Sequence, residues 1–571
     1  MPKISTRPFS ADIARTLEQE GFSPAWARLF AARGVTCASE VSHRLLHLLP
    51  PESLLNNERA AVLLADAIAQ KLRLLIVADY DADGATGCAV GMKGLRMLGA
   101  QVDYLVPNRL EHGYGLTPEI VRLAAARKPD LLITVDNGIA AVEGVAEANR
   151  LGIPVLVTDH HLPGDALPDA VCIVNPNQPG CTFASKNLAG VGVMFYVLLA
   201  LRAEQRQRGL YANRAEPDLR ELLDLVALGT VADVVRLDAN NRTLVSQGLA
   251  RMRSGKAAPG INALFHAAGA DPQRATVFDL GFKLGPRLNA AGRIDDMALG
   301  IECLLASNAT ASQLAQRLNA LNLERREIES DMQDEALAAL ADFKADDSTG
   351  LTAYQPGWHI GVIGILASRL KDRFHRPTVV FASNNAGELK GSGRSIPGLH
   401  LRDALDLIAK RHPGLILKFG GHAMAAGLSI PESRYGDFKR AFDEVTRELL
   451  SPADLEGRLE TDGELALDAH SYEFAQQLEN AIWGQAFPAP LFIADFQVQS
   501  QRVLKEKHLK LTLLRDEQSF EAMHFFHPDK PGYKHPEPLP DRIRAVYALM
   551  TNEYNGTQRL QLRLQHWEAR E

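Results

Sequence analysis

Leu74-Leu75-Ile76-Val77-Ala78-Asp79-Tyr80-Asp81-Ala82-Asp83-Gly84 runs from a short apolar segment into three aspartates spaced two apart, closed by a glycine. Two further stretches have the same form. Leu131 to Val135 runs into Asp136-Asn137-Gly138, and Pro154 to Thr158 runs into Asp159-His160-His161. Helical patterns alternate with them: one over residues 58–71, one starting after Gly84, and one opened by Thr117-Pro118-Glu119. In the last, Thr117 is the N-cap and Pro118 takes the first helical position. Another short apolar strand is expected at 171–174. Short buried strands alternating with helices predict an α/β domain with a doubly wound parallel sheet. Ligands bind such sheets at the carboxyl ends of the strands, so the three loaded ends would meet in one place.

The residue types at those ends point to metal. In an extended segment Asp79, Asp81 and Asp83 would project to one face, with Gly84 turning the backbone into the next helix. Clustered carboxylates repel one another unless cations neutralise them. The set offers oxygen and imidazole but no thiolate, which favours Mn²⁺ or Mg²⁺ over structural zinc. Two ions bridged by a shared carboxylate, Asp136, would activate a water and stabilise a leaving oxygen in phosphate-ester hydrolysis.

Each motif alone has an everyday reading. A DxDxDG segment can be a calcium loop, but Val90 stands where an EF-hand needs its glutamate. A His-His pair is more often a surface or turn pair, and an aspartate at a strand end is often only a helix cap. Three such ends in one alternating unit favour a metal centre.

Outward from this core, residues 1–55 read as short helices with no chemistry. Residues 56–305 form the first α/β domain, mostly helical from 188. Residues 306–345 form an amphipathic connecting helix, with Leu314, Leu318, Leu321, Ile328 and Met332 at helical spacing. A second α/β domain spans 346–452, with strands at 351–354 and 378–381 and a helix over 361–373. Residues 453–571 mix short strands, at 492–498, 509–514 and 543–550, that suggest a small β-barrel. Within residues 501–515, Arg502, Lys505, Lys507, Lys510 and Arg515 stand against a single acid, Glu506, a strip that can follow a nucleic-acid backbone or form a solvated strand face. Phe520, Phe525 and Phe526 are candidates for stacking on bases or for barrel core.

The bulk numbers agree with a soluble multidomain protein. The chain has 571 residues, 46% apolar and 23% charged, with a net charge of −7. An acidic balance neither advertises nor excludes nucleic-acid binding, because the charge of one groove decides. No apolar run is long enough to span a membrane, and the first sixteen residues lack the apolar segment of a signal peptide, so a cytoplasmic location is expected. Cys37, Cys88, Cys172, Cys181 and Cys303 form no CxxC pair and read as reduced thiols.

Asp79 to Gly84, Asp136-Asn137-Gly138 and Asp159-His160-His161 resemble the first three motifs of the DHH phosphoesterase family. Leu225 to Asp233 resembles the fourth, a single aspartate ending an apolar helical segment. The resemblance implies Asp81, Asp83, Asp136, His160 and Asp233 as metal ligands, with Asp79 and His161 either ligands or partners that orient them. Trp358-His359, Gly361 to Gly364, Gly391-Ser392-Gly393-Arg394-Ser395 and Gly420-Gly421-His422 resemble the substrate-binding motifs of the associated DHHA1 domain. Glycines there would let backbone NH groups approach a phosphate, and Arg394 supplies a bidentate donor.

Within the family the chain is similar to the single-strand-specific DNA exonucleases, over about residues 50–565. Pro107-Asn108-Arg109, Gly113-Tyr114-Gly115, the segment Gly285 to Arg293 and an oligonucleotide-binding (OB) barrel carry that similarity. It implies 5′-to-3′ hydrolysis of single-stranded DNA to 5′-mononucleotides, in DNA repair and recombination, by a monomer. His422 and Arg287, with His161, would act at the reacting phosphate. Arg109, Ser392 and Arg394 would hold the 5′-terminal phosphate, with Asn289, Ser395, Gly420 and Gly421 also binding substrate. A channel too narrow for a duplex would explain single-strand selection, and a single-strand-binding protein and a helicase are the implied partners. A short-RNA or cyclic-dinucleotide phosphodiesterase is one rival, disfavoured by length and barrel. A non-catalytic binding protein of the same fold is another, disfavoured by the filled ligand positions.

Overall fold

The computed structural model describes residues 2–107, 115–340, 348–384, 387–504, 508–525, 538–554 and 557–570. They fall into two compact units. One comprises Phe9–Leu323 and Asn480–Ala489, the other Met1–Pro8, Glu324–Glu479 and Pro490–Glu571.

The first unit is built on strands β1 Arg73–Ala78, β2 Gln101–Leu105, β3 Leu131–Val135, β4 Val155–Thr158 and β5 Cys172–Val174. Their order is β2-β1-β3-β4-β5 and every pairing is parallel, as the alternating pattern predicts. β3, β4 and β5 are buried along their whole length, the mark of a sheet covered on both faces. Register sets the site. Ala78 pairs with Val135, and Val135 with Thr158, so the strands end level. The next amide of each then bonds across. Asp79 NH donates to Val135 O (3.2 Å), Asp136 NH to Thr158 O (3.1 Å) and Asp159 NH to Val174 O (3.2 Å).

Helix α1, Ala82–Met97, follows β1 and is buried on nearly every side. A Cβ on Gly87 would lie 2.6 Å from Val135 Cγ1, and one on Gly94 would lie 2.2 Å from Leu198 Cδ1. The small side of α1 thus lets it wedge between the sheet and α2, Gly190–Gln207. Helix α3, Leu223–Ala232, is apolar all round and likewise buried. One sequence expectation changes here. Asp79, Asp81 and Asp83 do not lie on one extended face, because the helix already starts at Ala82. Asp81 is its N-cap, its Oδ1 accepting from Asp83 NH (2.9 Å) and Gly84 NH (3.0 Å). Gly84 serves close approach rather than a turn, since a Cβ there would lie 2.4 Å from Asp79 O.

In the second unit β6 Leu351–Tyr354, β7 Thr378–Ser383, β8 Glu388–Arg394, β9 Lys418–Gly421 and β10 Ala425–Pro431 form a sheet of order β9-β10-β8-β7-β6. β6 and β7 pair in parallel and the rest are antiparallel. Phe381, Leu401, Leu405, Phe438 and Phe442 centre its core. A closed five-stranded barrel follows: β11 Phe492–Leu504, β12 His508–Arg515, β13 Gln518–Phe525, β14 Arg542–Tyr554 and β15 Thr557–Ala569. Two of these, β13 and β15, were not foreseen, because their apolar residues are interleaved with exposed polar ones such as Gln518, Gln558, Arg559 and Gln565. The N-terminal segment carries the expected short helices, at Ala11–Gln19 and Pro24–Ala31, and adds one strand. Lys3–Thr6 is a strand, pairing in parallel with Arg458–Thr461.

The connecting helix is observed as a single 32-residue helix, α4 Asn308–Ala339. All five cysteines are free. Among the described residues no helix is long and apolar enough to cross a membrane.

Candidate metal centre

Four chain segments of the first unit deliver carboxylates and imidazoles to one point. Ligand atoms of Asp79, Asp81 and Asp136 lie within 4.8 Å of one another, as do those of Asp83, His160 and Asp233, and those of Asp136, His160 and His161. Asp136 and His160 each belong to two of these trios. His160 Nε2 stands 3.1 Å from Asp136 Oδ1, 3.5 Å from Asp233 Oδ2 and 3.9 Å from Asp83 Oδ2. All seven residues expected at or beside a metal therefore converge in three overlapping trios.

Local structure explains why the chain folds this way. Asp136 adopts φ +63°, a left-handed conformation that lets β3 end abruptly and throw the carboxylate inward. Gly190 makes room for it, since a Cβ there would lie 2.6 Å from Asp136 Cβ. Asp83, fully buried on the first turn of α1, accepts from Gly190 NH (2.6 Å) and Val191 NH (2.9 Å) at the start of α2. Asp233 follows the last residue of α3, where the helix dipole disfavours a negative charge. Asn289 Oδ1 accepts from Ala82 NH (2.8 Å), pinning the aspartate-rich loop.

The electrostatics are those of a cation site. Burial, reinforced by Asp83, Asp81 and Asp233, raises the Asp136 carboxyl well above the usual range. Asp233 is raised likewise by burial and then by Asp83 and Asp81. Burial, then the Asp81 charge, pushes Asp83 up to about 7 against the pull of its two amide donors. The imidazoles split. Burial and the neighbouring His161 charge lower His160 to about 4, leaving it neutral with a lone pair to give. Burial would lower His161 too, but its 2.8 Å bond to Asp159 and the surrounding aspartates raise it to about 9. Asp136 Oδ1 and His160 Nε2 are buried and have no hydrogen-bond partner among the described residues. An oxygen-rich set with one neutral imidazole and two orphaned ligand atoms fits a hard or borderline divalent cation. Such an ion removes the like-charge penalty that the fold otherwise carries.

Several residues that hold this geometry were not among the expected site residues. Asp159 is buried and accepts from His160 NH (2.7 Å), His161 NH (3.1 Å) and Ile139 NH (2.9 Å) as well as from the His161 ring. Asn175 and Asn177 donate to the carbonyls of His161 (3.0 Å) and His160 (2.6 Å). Asp159 stands inside the motif itself. The asparagines carry no signal beyond lying just past β5.

The remaining expected residues divide between the units. Arg287, in the first unit, donates from Nε to Asn319 Oδ1 (3.0 Å) and from a terminal nitrogen to Lys283 O (2.6 Å). Ser392 and Arg394 lie on β8 of the second unit, 3.2 Å apart between Oγ and a guanidinium nitrogen. The glycines flanking them do not form an open phosphate loop. β8 is paired on both sides, so its amides serve the ladder, and Gly391 and Gly393 make room for Phe381, Leu428 and Leu401. Ser395 is buried, its hydroxyl donating to Leu399 O at 2.9 Å. Gly421 has φ +141°, and with Gly420 it leads into exposed His422, whose NH donates to Ala425 O (2.8 Å). Phe520 is barrel core, while Phe525 is 42% exposed with its ring edge-on to His508. Arg109, Lys505, Glu506, Lys507 and Phe526 lie outside the described residues.

Three family models match the chain: the DHH family N-terminal domain over residues 73–230, the DHHA1 domain over 347–448 and the RecJ OB domain over 461–566. The single-stranded-DNA-specific exonuclease RecJ of Salmonella typhimurium is 50% identical over 554 residues, covering 94% of this chain and 95% of the relative. That of Escherichia coli K12 is 49% identical over the same shares. The crystal structure of RecJ in complex with Mn²⁺ from Thermus thermophilus superposes with a TM-score of 0.82 at 28% identity, covering all of this chain and 79% of that one. A structure of exonuclease RecJ bound to manganese gives 0.60 at 33% identity, covering 71% of this chain and 97% of that one.

Proposed function

The chain belongs to the RecJ family of single-stranded-DNA-specific exonucleases, and on that premise we propose that it removes 5′-mononucleotides stepwise from the 5′ end of single-stranded DNA. Two divalent cations, Mn²⁺ or Mg²⁺, would be held by Asp79, Asp81, Asp83, Asp136, His160 and Asp233. The observation that carries this reading is the set of three trios linked through Asp136 and His160. When bound, the ions supply an activated water and charge compensation at the scissile phosphate.

The chain's own groups do the rest. Asp83 and Asp81 are pre-aimed by backbone amides, so no side-chain ordering is left to be done when substrate arrives. His161, kept protonated by Asp159, presents a positive charge beside the ligand cluster and stabilises negative charge as it develops. Arg287 and His422 are assigned to that same developing charge. Arg109, Ser392 and Arg394 are assigned to the 5′-terminal phosphate, where the guanidinium offers a bidentate grip. Asn289 acts by fixing the aspartate loop, and Ser395, Gly420 and Gly421, at the ends of β8 and β9, by shaping the approach to substrate. The enzyme works as a cytoplasmic monomer in DNA repair and recombination, beside a single-strand-binding protein and a helicase.

Product analysis tests this. A long 5′-phosphorylated single strand, the matching blunt duplex and a dinucleotide are each incubated with Mn²⁺, with Mg²⁺ and with chelator. Mononucleotides from the long strand, dependent on metal and absent from the duplex, are expected. Cleavage of the dinucleotide alone would keep the metal centre and discard the exonuclease.

A further inference from the structure

Phe278 and Phe282 are 56% and 72% exposed, yet their rings stack on each other with centroids 4.8 Å apart and planes 23° from parallel. We propose that this pair is a stacking platform for nucleobases of the single strand whose backbone is held at the metal centre, a proposal that rests on the substrate reading above.

Scattered exposed apolar residues are ordinary, so exposure alone means little. Three further observations single this pair out. Phe282 belongs to a π-helical turn, Asp279–Leu284, entered at Phe278, and such turns are rare and collect at functional sites. The turn is held rigid. Asp279 accepts from Thr276 NH (2.8 Å) and the Thr276 hydroxyl (2.7 Å), and lies 2.7 Å from Lys283 Nζ. The turn is also seated against the end of α3. A Cβ on Gly281 would lie 3.3 Å from Val231 Cγ1, and one on Gly285 would lie 3.1 Å from Ala232 Cβ. Val231 and Ala232 lead directly into the expected metal ligand Asp233, and Val234 beyond it is 64% exposed.

The occupant follows from shape and charge. Two near-parallel rings open to solvent offer flat π-faces, which suit a planar base and tolerate any sequence. The segment from Arg274 to Arg293 carries Arg274, Lys283, Arg287 and Arg293 against one acid, Asp279, a local balance of +3 in a chain of −7. A strand brings both the flat apolar faces and the phosphates that this combination matches, and only unpaired bases leave those faces free. The pair therefore adds a contact that a duplex cannot make.

Steady-state digestion of a long single strand by the wild-type chain, by Phe278→Ala/Phe282→Ala and by Phe282→Trp tests the platform. The double variant is expected to raise KM about tenfold with kcat little changed, and the Trp variant to keep the wild-type KM. On a strand whose leading nucleotides are abasic, wild type and double variant should converge. A single Phe282→Ala variant, removing the more exposed ring, gives the same reading if the double variant folds poorly. A KM within twofold of wild type on the intact strand overturns the platform, as does an equal gap on the abasic strand, which would mark the rings as a protein-docking or structural feature. Failure of the wild-type chain to digest any single strand would discard the substrate reading, and the platform with it.

Discussion

His160 Nε2 faces Asp136 Oδ1 across 3.1 Å, and neither atom has a hydrogen-bond partner among the described residues. Two buried acceptors at that distance are costly unless a proton or a cation lies between them. Asp136→Asn tests which. The left-handed backbone at this position tolerates asparagine, so the fold should survive. Loss of one of several repelling carboxylates should raise the thermal midpoint of the cation-free protein, while nuclease activity falls on the order of a thousandfold. Thermal unfolding and digestion assays on the same preparation check both halves.

Asp83 gives a pH signature. Its carboxyl is pushed up to about 7 by burial and by Asp81. An unfolded chain releases that proton near pH 4, so between roughly pH 4 and 7 the folded chain binds more protons than the unfolded one. Stability of the cation-free protein must then fall as pH rises through that window. Cation binding needs the ionised form, so Mn²⁺ should raise the midpoint more at about pH 8 than at about pH 5.5. A Mn²⁺ shift that is flat across this range would contradict the assignment of Asp83.

Gly190→Ala is expected to damage the site through packing alone. The added methyl would fall 2.6 Å from Asp136 Cβ and 2.9 Å from its Cα. A cost of about 1–3 kcal/mol in stability is expected from the overpacking, with a weaker Mn²⁺ affinity by calorimetry. Unchanged affinity would show that Asp136 is not a ligand.

Asp159→Asn should lower kcat about 10–100-fold while leaving substrate affinity nearly intact. The variant keeps an acceptor for the backbone amides but removes the charge that holds the His161 proton. A histidine titration followed by NMR should show the His161 value dropping from about 9.

Arg394→Lys tests the terminal-phosphate assignment. A lysine keeps the charge but not the planar fork. Preference for a 5′-phosphorylated over a 5′-hydroxyl strand should shrink roughly tenfold, with rates on the 5′-hydroxyl strand unchanged.

The catalytic sheet was the most legible part of the sequence. β1, β3 and β4 are continuous apolar runs with a polar stop, and β3 falls on the predicted residues. Local chemistry was harder to see. The even spacing of Asp79, Asp81 and Asp83 suggested a strand, yet the capping strength of Asp81 starts the helix two residues before Gly84. Glycine misled in the second unit for a related reason. Gly391 and Gly393 look like a loop, but they lie in the middle of a sheet because large neighbours occupy the space of their missing side chains. The barrel strand Thr557–Ala569 hid because its outward residues include Gln558, Arg559 and Gln565. The Phe278–Phe282 stack had no sequence signal at all, since its meaning lies in exposure, which depends on tertiary placement.

Hydrolysis of single-stranded DNA from its 5′ end by the Asp136–His160 cluster fixes the order in which the two ends of a strand are released. The most direct measurement is a time course on one long 5′-phosphorylated single strand, labelled at the 5′ end or at the 3′ end, with Mn²⁺. The 5′ label is expected to appear at once as a mononucleotide, while the 3′-labelled strand shortens gradually, and Asp136→Asn is expected to abolish both. Immediate release of the 3′ label, or full activity in the variant, would contradict it.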